Sequence, residues 1–448
     1  MRVCASLLFL ALLPLVSVSV PDICSSKPKD LPLEPRCVYR TPDQDDETTA
    51  DTDPVPENTN PRVWELSRAN GAFALSLYKQ LSSSRSATEN IFMSPVSVST
   101  AFAMTKLGAC NQTLQQIMKV FQFDTIKEKT SDQVHFFFAK LNCRLFRKKD
   151  QTTELVSANR LFGEKSLAFN ETYQNISETV YGARLMPLDF KENPEASRVT
   201  INEWISNKTE NRIRHTLPPG VLDSTTVLVL VNTIYFKGQW KNMFDKDQVF
   251  EGEFHVSPSQ TCSVQVMYQE TQFKYRNMPE QKLQILEMPY KGDDITMVLI
   301  LPYRDTPLSQ IEERLTLKTL TSWMDSMVEK TVSVHVPKFK VEDQFSLKDK
   351  LEAMGLSDLF SAERASLPGM LEDGSDTLFI SEAYHKAFLE VNEEGSEAAA
   401  ATAVVAIGRS IKFDREVFMA DRPFLVLIRE ATINALLFTG RVAHPCTQ

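Results

Sequence analysis

Glycine and closely spaced histidines, from which many active sites are built, are scarce in this chain of 448 residues. With only 14 glycines it has no G-x-S-x-G motif and no glycine-rich phosphate-binding loop. The six histidines show no close metal-ligand spacing: His135, His215, His255, His335, His385 and His444. These absences argue against an enzyme, and we expect neither catalytic residues nor a metal site.

The sequence also lacks a long apolar run beyond residue 20 and lacks an excess of positive charge. No later run reaches the roughly 18 apolar residues that a membrane-spanning helix needs, so we expect no membrane insertion. The net charge is -9 at pH 7, which argues against a general affinity for polyanions. Any anion-binding site must therefore be a local patch of basic residues.

Residues 1–20 have the pattern of a secretory signal peptide. Arg2 precedes an apolar stretch at 7–20 that ends in small residues, so we expect a secreted, extracellular protein. Six cysteines lie beyond it, an even number compatible with disulfides: Cys24, Cys37, Cys110, Cys143, Cys262 and Cys446. Six cysteines allow about 15 pairings, which the residues alone do not resolve. N-glycosylation sequons begin at Asn111, Asn170, Asn175 and Asn207.

Composition divides the rest of the chain into an arm and one large domain. Residues 21–40 are rich in proline and contain two cysteines, and residues 41–60 are acidic and almost free of apolar side chains. Such a segment is typical of an exposed linker. We predict a signal peptide (1–20), a disulfide-tethered basic arm with an acidic linker (21–62), and a single domain (63–448).

Periodicity within the domain predicts an α+β fold with large sheets. Apolar residues recur at helical spacing in 64–81 and 113–121. Strand-like runs occur at 226–231, 295–301, 331–336 and 424–428, and the long apolar ones among them predict large sheets. Helices and long strands that do not alternate regularly indicate the α+β class.

The segment 393–410 has a divided structural preference. Its alanine run, residues 398–401, favours helix, whereas Val404, Val405 and Ile407 favour strand. Such a segment can be a loop in one state and a strand in another.

Three further motifs identify the family that the chain resembles. They are Asn-Thr-Ile-Tyr-Phe-Lys-Gly-Gln-Trp at 232–240, His-Lys-Ala at 385–387, and Phe-Met-Ala-Asp-Arg-Pro-Phe at 418–424. In this order, over the chain from about Trp64 to its end, they resemble the serpin family of serine-protease inhibitors. The resemblance implies a serpin fold, with a large central β-sheet, further sheets, about nine helices and an exposed reactive-centre loop at about 393–415.

The resemblance also implies a mechanism, in which a protease cuts the loop and the loop's first half inserts into the central sheet as a new strand. Ser396, Ala398, Ala400 and Thr402 would share one face of that strand, where small side chains ease insertion. No proline lies between Glu393 and Arg409, unlike the hinge of many non-inhibitory members. The predicted hinge comprises Glu393, Gly395, Ser396, Glu397, Ala398, Ala399 and Ala400.

Alignment of the hinge places the cleaved bond between Arg409 and Ser410. Arginine at that position suits trypsin-like proteases, whose primary pocket carries a carboxylate that pairs with guanidinium. Two alternatives remain open: a non-inhibitory, heparin-binding serpin that acts as a carrier, and an ordinary reversible inhibitor. A covalent complex with a protease would exclude both.

A second feature is a basic segment at 127–149. At about 100° per residue, Phe136, Lys140, Arg144 and Arg147 fall within roughly an 80° sector of one helix. A row of cations binds a linear polyanion by releasing its counterions. A sulfated polysaccharide is the expected ligand, because the signal peptide argues against DNA as the partner.

Around this segment the chain resembles the heparin-activated plasma inhibitors of the family. The resemblance implies a blood-plasma monomer that inhibits thrombin and factor Xa and is activated by heparin or heparan sulfate. It implies the disulfides Cys24 to Cys143, Cys37 to Cys110, and Cys262 to Cys446. The implied heparin-binding residues are Lys27, Lys29, Arg40, Arg62, Lys129, Phe136, Phe137, Lys140, Arg144, Arg147 and Lys148.

Overall fold

The computed structural model describes residues 23–24, 36–39, 55–57, 59–126, 133–146, 153–396 and 415–446. These ranges contain nine α-helices. The helices are α1 (Pro61–Ser83), α2 (Pro95–Lys106), α3 (Asn111–Val120), α4 (Gln133–Phe146), α5 (Glu171–Tyr181), α6 (Pro194–Lys208), α7 (Leu308–Arg314), α8 (Leu317–Asp325) and α9 (Lys348–Ala353). Within the described ranges, none of these helices has the length and apolar character needed to cross a bilayer.

The same ranges contain fifteen β-strands. They are β1 (Ile91–Met93), β2 (Thr153–Glu164), β3 (Met186–Leu188), β4 (Leu228–Gln239), β5 (Val249–Ser257), β6 (Gln260–Met278), β7 (Leu283–Pro289), β8 (Ile295–Pro302), β9 (Val328–Pro337), β10 (Phe339–Ser346), β11 (Glu382–Val391), β12 (Gly395–Ser396), β13 (Glu416–Met419), β14 (Phe424–Glu430) and β15 (Ala435–Val442).

The strands form two sheets. The six-stranded sheet has the order β10-β11-β12-β4-β2-β3. The nine-stranded sheet has the order β1-β15-β14-β8-β7-β6-β9-β13, and β5 pairs with β6 beside this path. Helices and strands do not alternate regularly along the chain, and many strand pairs are antiparallel, so the predicted α+β class is confirmed.

Burial explains why strands of the nine-stranded sheet were readable as continuous apolar runs. Every residue of β8, β14 and β15 is buried, so both faces of these strands are covered by the rest of the protein. The predicted strands at 295–301, 331–336 and 424–428 lie within β8, β9 and β14 and are confirmed.

The predicted strand at 226–231 starts too early and ends too soon. Asp223 and Thr226 form a turn in which the Asp223 N–H donates to the Thr226 hydroxyl at 3.1 Å. β4 therefore begins only at Leu228, and it continues to Gln239.

Helix α1 begins where its local chemistry dictates. The Asn60 side chain accepts a hydrogen bond from the Arg62 N–H at 2.9 Å, and Pro61 occupies the first helical turn, where its missing N–H costs nothing. The predicted helix at 64–81 lies within α1. Along α4, residues Val134 to Ala139 are buried, and the helix packs against α1, α5 and β2.

Candidate functional site

The predicted hinge begins with a tight turn after β11. The Asn392 side-chain oxygen accepts hydrogen bonds from the N–H groups of Glu394 (3.0 Å) and Gly395 (3.2 Å). Gly395 has φ of 148°, and a Cβ there would lie 1.9 Å from the Gly238 carbonyl oxygen. Only glycine fits this backbone without displacing the neighbouring strand.

The first two residues after this turn lie in the six-stranded sheet. β11 pairs directly with β4 only from Glu382 to Phe388. Beyond that point β12 lies between them, with Ser396 opposite Val391 of β11 and opposite Gly238 of β4. Ser396 is fully buried. The start of the predicted hinge therefore already forms a short strand between β11 and β4.

Backbone hydrogen bonds attach the turn to the segment after β4. The Trp240 N–H donates to the Glu394 carbonyl at 2.9 Å, and the Phe244 N–H donates to the Glu393 carbonyl at 2.9 Å. The Trp240 indole N–H donates to the Asn392 carbonyl at 3.0 Å. These three bonds fix the turn at the start of the hinge against the segment after β4.

Two lysines pair with the hinge carboxylates. Lys338 lies 2.8 Å from Glu393, and Lys246 lies 2.6 Å from Glu394. Burial alone would raise the pKa of Glu393, but the hydrogen bond and charge of Lys338 outweigh it and lower that pKa. The hydrogen bond to Glu394 raises the pKa of Lys246. Glu393 is therefore ionised and paired at neutral pH.

The cations of α4 are bonded to other parts of the protein. The Lys140 ammonium donates to the carbonyls of Ile23 (3.2 Å) and Cys24 (2.6 Å) and lies 5.0 Å from the centre of the Phe136 ring. Arg144 donates through Nε and Nη2 to one oxygen of Glu430, at 3.0 and 2.7 Å. A polyanion would have to compete with these partners.

The other residues predicted to contact the polysaccharide are buried, are paired with another side chain, or lie outside the described residues. Phe136 and Phe137 are 6% and 5% exposed, so neither ring presents a surface in this conformation. Arg62 pairs with Glu65 at 2.5 Å on α1. The residues outside the described ranges are Lys27, Lys29, Arg40, Lys129, Arg147 and Lys148.

Comparison with known proteins identifies the family. Residues 68–445 match the family model described as Serpin (serine protease inhibitor). The chain belongs to the serpin family. Antithrombin-III of Mus musculus and antithrombin-III of Homo sapiens are each 58% identical to this serpin over 428 residues, which is 95% of this chain and 92% of each relative. The resemblance stated from the sequence is confirmed.

Solved serpin structures share the fold. Uncleaved ovalbumin matches with a TM-score of 0.77 and 31% identity, over 85% of this chain and 100% of ovalbumin. Human thyroxine-binding globulin, complexed with thyroxine, matches with a TM-score of 0.79 and 29% identity, over 86% of this chain and 100% of the globulin. The predicted serpin fold is confirmed.

Among the described residues, three disulfides hold the segments of this serpin together, and they are the pairs that the resemblance implied. Cys24 is joined to Cys143, Cys37 to Cys110, and Cys262 to Cys446. The first joins the arm to α4, where Ile23 packs against Ala139 and Val180. Closing a loop of 119 residues contributes about 4 to 5 kcal/mol in the chain-entropy model.

One group of side chains has metal-ligand spacing but cannot serve as a metal site. In the described ranges, only Cys262, His444 and Cys446 bring three ligand atoms within 4.8 Å of one another. Both cysteines are joined in a disulfide and offer no thiolate.

The asparagines of the four sequons differ in exposure. Asn111, Asn175 and Asn207 are exposed, whereas Asn170 is half-buried and caps α5 by accepting from the Tyr173 N–H at 3.0 Å. Glycosylation at all four positions stays a prediction.

The cleaved bond predicted between Arg409 and Ser410 lies outside the described residues, as do Glu397, Ala398, Ala399 and Ala400 of the hinge. Among the described residues, the structure adds partners that the sequence did not reveal, namely Lys338, Lys246 and Trp240 at the hinge, and Glu430 beside α4. Trp240 ends one of the family motifs, which could have drawn attention to it. The other three are isolated charges without a pattern.

Proposed function

We propose that this serpin inhibits trypsin-like proteases of blood coagulation as a suicide substrate that is cleaved between Arg409 and Ser410. The observation that carries the proposal is the position of Gly395–Ser396, paired between β11 and β4. Because the loop already forms the first residues of a strand there, the loop residues that follow could extend that strand between β11 and β4. The 58% identity to antithrombin-III supports a coagulation protease as the target, with thrombin and factor Xa as candidates.

The carrier alternative uses the same fold, as thyroxine-binding globulin illustrates, so the fold does not decide between the two functions. Hinge composition favours the inhibitor. Residues 396–403 contain small side chains apart from Glu397, and no proline occurs between Glu393 and Arg409. Proline would remove a backbone donor that an inserted strand needs.

Activation by heparin or heparan sulfate is the second part of the proposal. Sulfate groups would replace the Cys24 carbonyl at Lys140 and the Glu430 carboxylate at Arg144. Phe136 and Phe137 would have to leave the core to contact the polysaccharide, which requires α4 to rearrange. Coupling of this rearrangement to release of Ser396 from the sheet would make activation allosteric. The polysaccharide could also bridge inhibitor and protease.

Secretion into plasma and the division of the chain follow as part of the same proposal. Residues 1–20 would be removed as a signal peptide, and residues 21–62 would hold basic residues beside α4 through the Cys24 to Cys143 bond. The domain from 63 onward would act as a monomer.

The test mixes the purified protein with thrombin or factor Xa, with and without heparin, and resolves the products on a denaturing gel. We expect a covalent complex that forms faster with heparin and is abolished by Arg409→Ala. Arg364→Ala is the matched control, because Arg364 is an exposed arginine paired with Asp358 elsewhere. Cleavage of the loop without a covalent band would contradict the proposed inhibitory function and would indicate a protease substrate or a carrier.

A further inference from the structure

Tyr290, in the turn between β7 and β8, is held in one position by aromatic neighbours. Its ring is fully buried and stacks on Trp240 with centroids 4.4 Å apart and an interplanar angle of 12°. The Phe236 ring meets it edge-on at 4.7 Å. The Tyr290 N–H donates to the Ile295 carbonyl at 3.0 Å. The direction of its hydroxyl is therefore fixed by packing.

That hydroxyl lies 2.6 Å from the hydroxyl of Ser396. Both residues are 0% exposed, and within the described ranges neither hydroxyl has another hydrogen-bond partner. Burial raises the pKa of Tyr290 far above its ordinary value, so its hydroxyl keeps its proton. The bond joins a rigid side chain of the β7–β8 turn to the first inserted residues of the hinge.

Gly238 makes this approach possible. It lies opposite Ser396 in the sheet, and a Cβ on it would come 2.9 Å from Cδ1 of Tyr290 and 2.6 Å from Cζ of Phe236. Any larger residue would push the aromatic rings away from the hinge. The site therefore consists of a glycine gap, a clamped tyrosine and a buried serine.

We propose that Tyr290 is a positioning residue that latches the hinge, and that its bond to Ser396 sets the fraction of molecules whose hinge is free. The proposal rests on the function proposed above, in which the free hinge is the more reactive state. The Tyr290→Phe substitution keeps the aromatic ring but leaves the buried Ser396 hydroxyl without a partner. This raises the free energy of the inserted-hinge state and not that of the free-hinge state. The equilibrium then shifts toward the free hinge.

The shift has linked consequences. Because the polysaccharide would bind the free-hinge state more tightly, Tyr290→Phe should raise its affinity and the basal inhibition rate together. The acceleration by heparin should shrink correspondingly, because more of the variant already has a free hinge before heparin binds.

Hydrogen exchange of the peptide that covers 390–396 measures the latch directly, without protease or polysaccharide. We expect exchange in Tyr290→Phe to be about fivefold faster or more than in the natural protein. Tyr78→Phe is the matched control, because Tyr78 of α1 is similarly buried and its hydroxyl donates to Glu312 at 2.5 Å. That variant should leave exchange of this peptide unchanged.

A double variant separates the hydrogen bond from ring packing. Tyr290→Phe with Ser396→Ala removes both hydroxyls, so no buried group is left unpaired and exchange should return toward the natural rate. Unchanged exchange in Tyr290→Phe, or a double variant as fast as the single one, would overturn the latch.

Inhibition rates then connect the latch to function. In Tyr290→Phe the basal rate should rise by the same factor as exchange. Faster exchange with an unchanged basal rate of inhibition would contradict the inference that the latch controls inhibition. A natural protein that forms no covalent complex would instead contradict the proposed function, while the exchange result still reports on the hydrogen bond.

Discussion

At the scale of single residues, the hinge turn depends on the missing side chain of Gly395. Its φ is 148°, and a Cβ on it would lie 1.9 Å from the Gly238 carbonyl oxygen, so alanine is excluded from the observed backbone. We predict that Gly395→Ala displaces Ser396 from the sheet and raises the basal rate of protease inhibition by about fivefold or more, given the usual cost of such strain. Second-order rate constants measured with and without heparin check this.

Gly220→Ala is the matched control for that substitution. Gly220 also has positive φ, at 76°, but a Cβ there would meet nothing within 4 Å. Its backbone also disfavours a side chain, whereas a Cβ there has no clash with the six-stranded sheet. If both variants inhibit at the natural rate, the close contact at Gly395 does not hold the hinge in place.

At the scale of elements, Lys140 and Arg144 of α4 are bound to protein partners, with which a polyanion would have to compete. Arg144 is bound to Glu430, whose side chain is 1% exposed and also accepts from the Ile433 N–H at 2.9 Å. We predict that Glu430→Gln tightens heparin binding by about threefold to tenfold, because the neutral amide holds Arg144 less strongly than the carboxylate does. Titration of heparin by isothermal calorimetry at several salt concentrations measures the effect.

The control for Glu430→Gln is a buried carboxylate that pairs with an arginine outside α4. Glu287 lies 2.7 Å from Arg429 and is 4% exposed, so Glu287→Gln removes a similar charge. Heparin binding should be unaffected in that variant. Equal affinities of Glu430→Gln and the natural protein would show that Arg144 is not a heparin contact.

The elements also show which parts of the fold are readable from sequence. β8 and β14 were predicted almost to their ends, because burial on both faces leaves a long apolar run. Most of β4 was missed because it carries polar residues inside the core: Asn232 is fully buried and donates to Ser97 at 2.6 Å. Hydropathy cannot detect a polar residue whose partner comes from a distant helix.

For the site, the family resemblance and the small side chains predicted the hinge, and helical spacing predicted the basic helix. The partners of both are absent from that prediction. Tyr290, Trp240 and Lys338 reach the hinge from three different segments, and each is an ordinary residue in its own segment. Their meeting depends on the pairing of β11, β12 and β4, which is a property of the tertiary fold.

At the scale of the whole molecule, the six-stranded sheet holds only a short strand between β11 and β4. β12 has two residues, whereas β4 beside it has twelve. An inserted loop as long as β4 gains roughly one backbone hydrogen bond per residue at about 1 kcal/mol each, besides buried apolar area. The intact protein should therefore be less stable than the product of cleavage.

We predict that cleavage between Arg409 and Ser410 raises the midpoint of thermal unfolding by on the order of 20 °C, since each kcal/mol is worth about 2 °C or more in a chain of this size. Differential scanning calorimetry of intact and cleaved protein measures this. Ala400→Pro is the control, because proline cannot donate to a central strand and should block insertion beyond the hinge. The cleaved control should unfold close to the temperature of its intact form. Equal midpoints for the natural intact and cleaved proteins would mean that the cut loop does not enter the six-stranded sheet, and the suicide mechanism would fail with it.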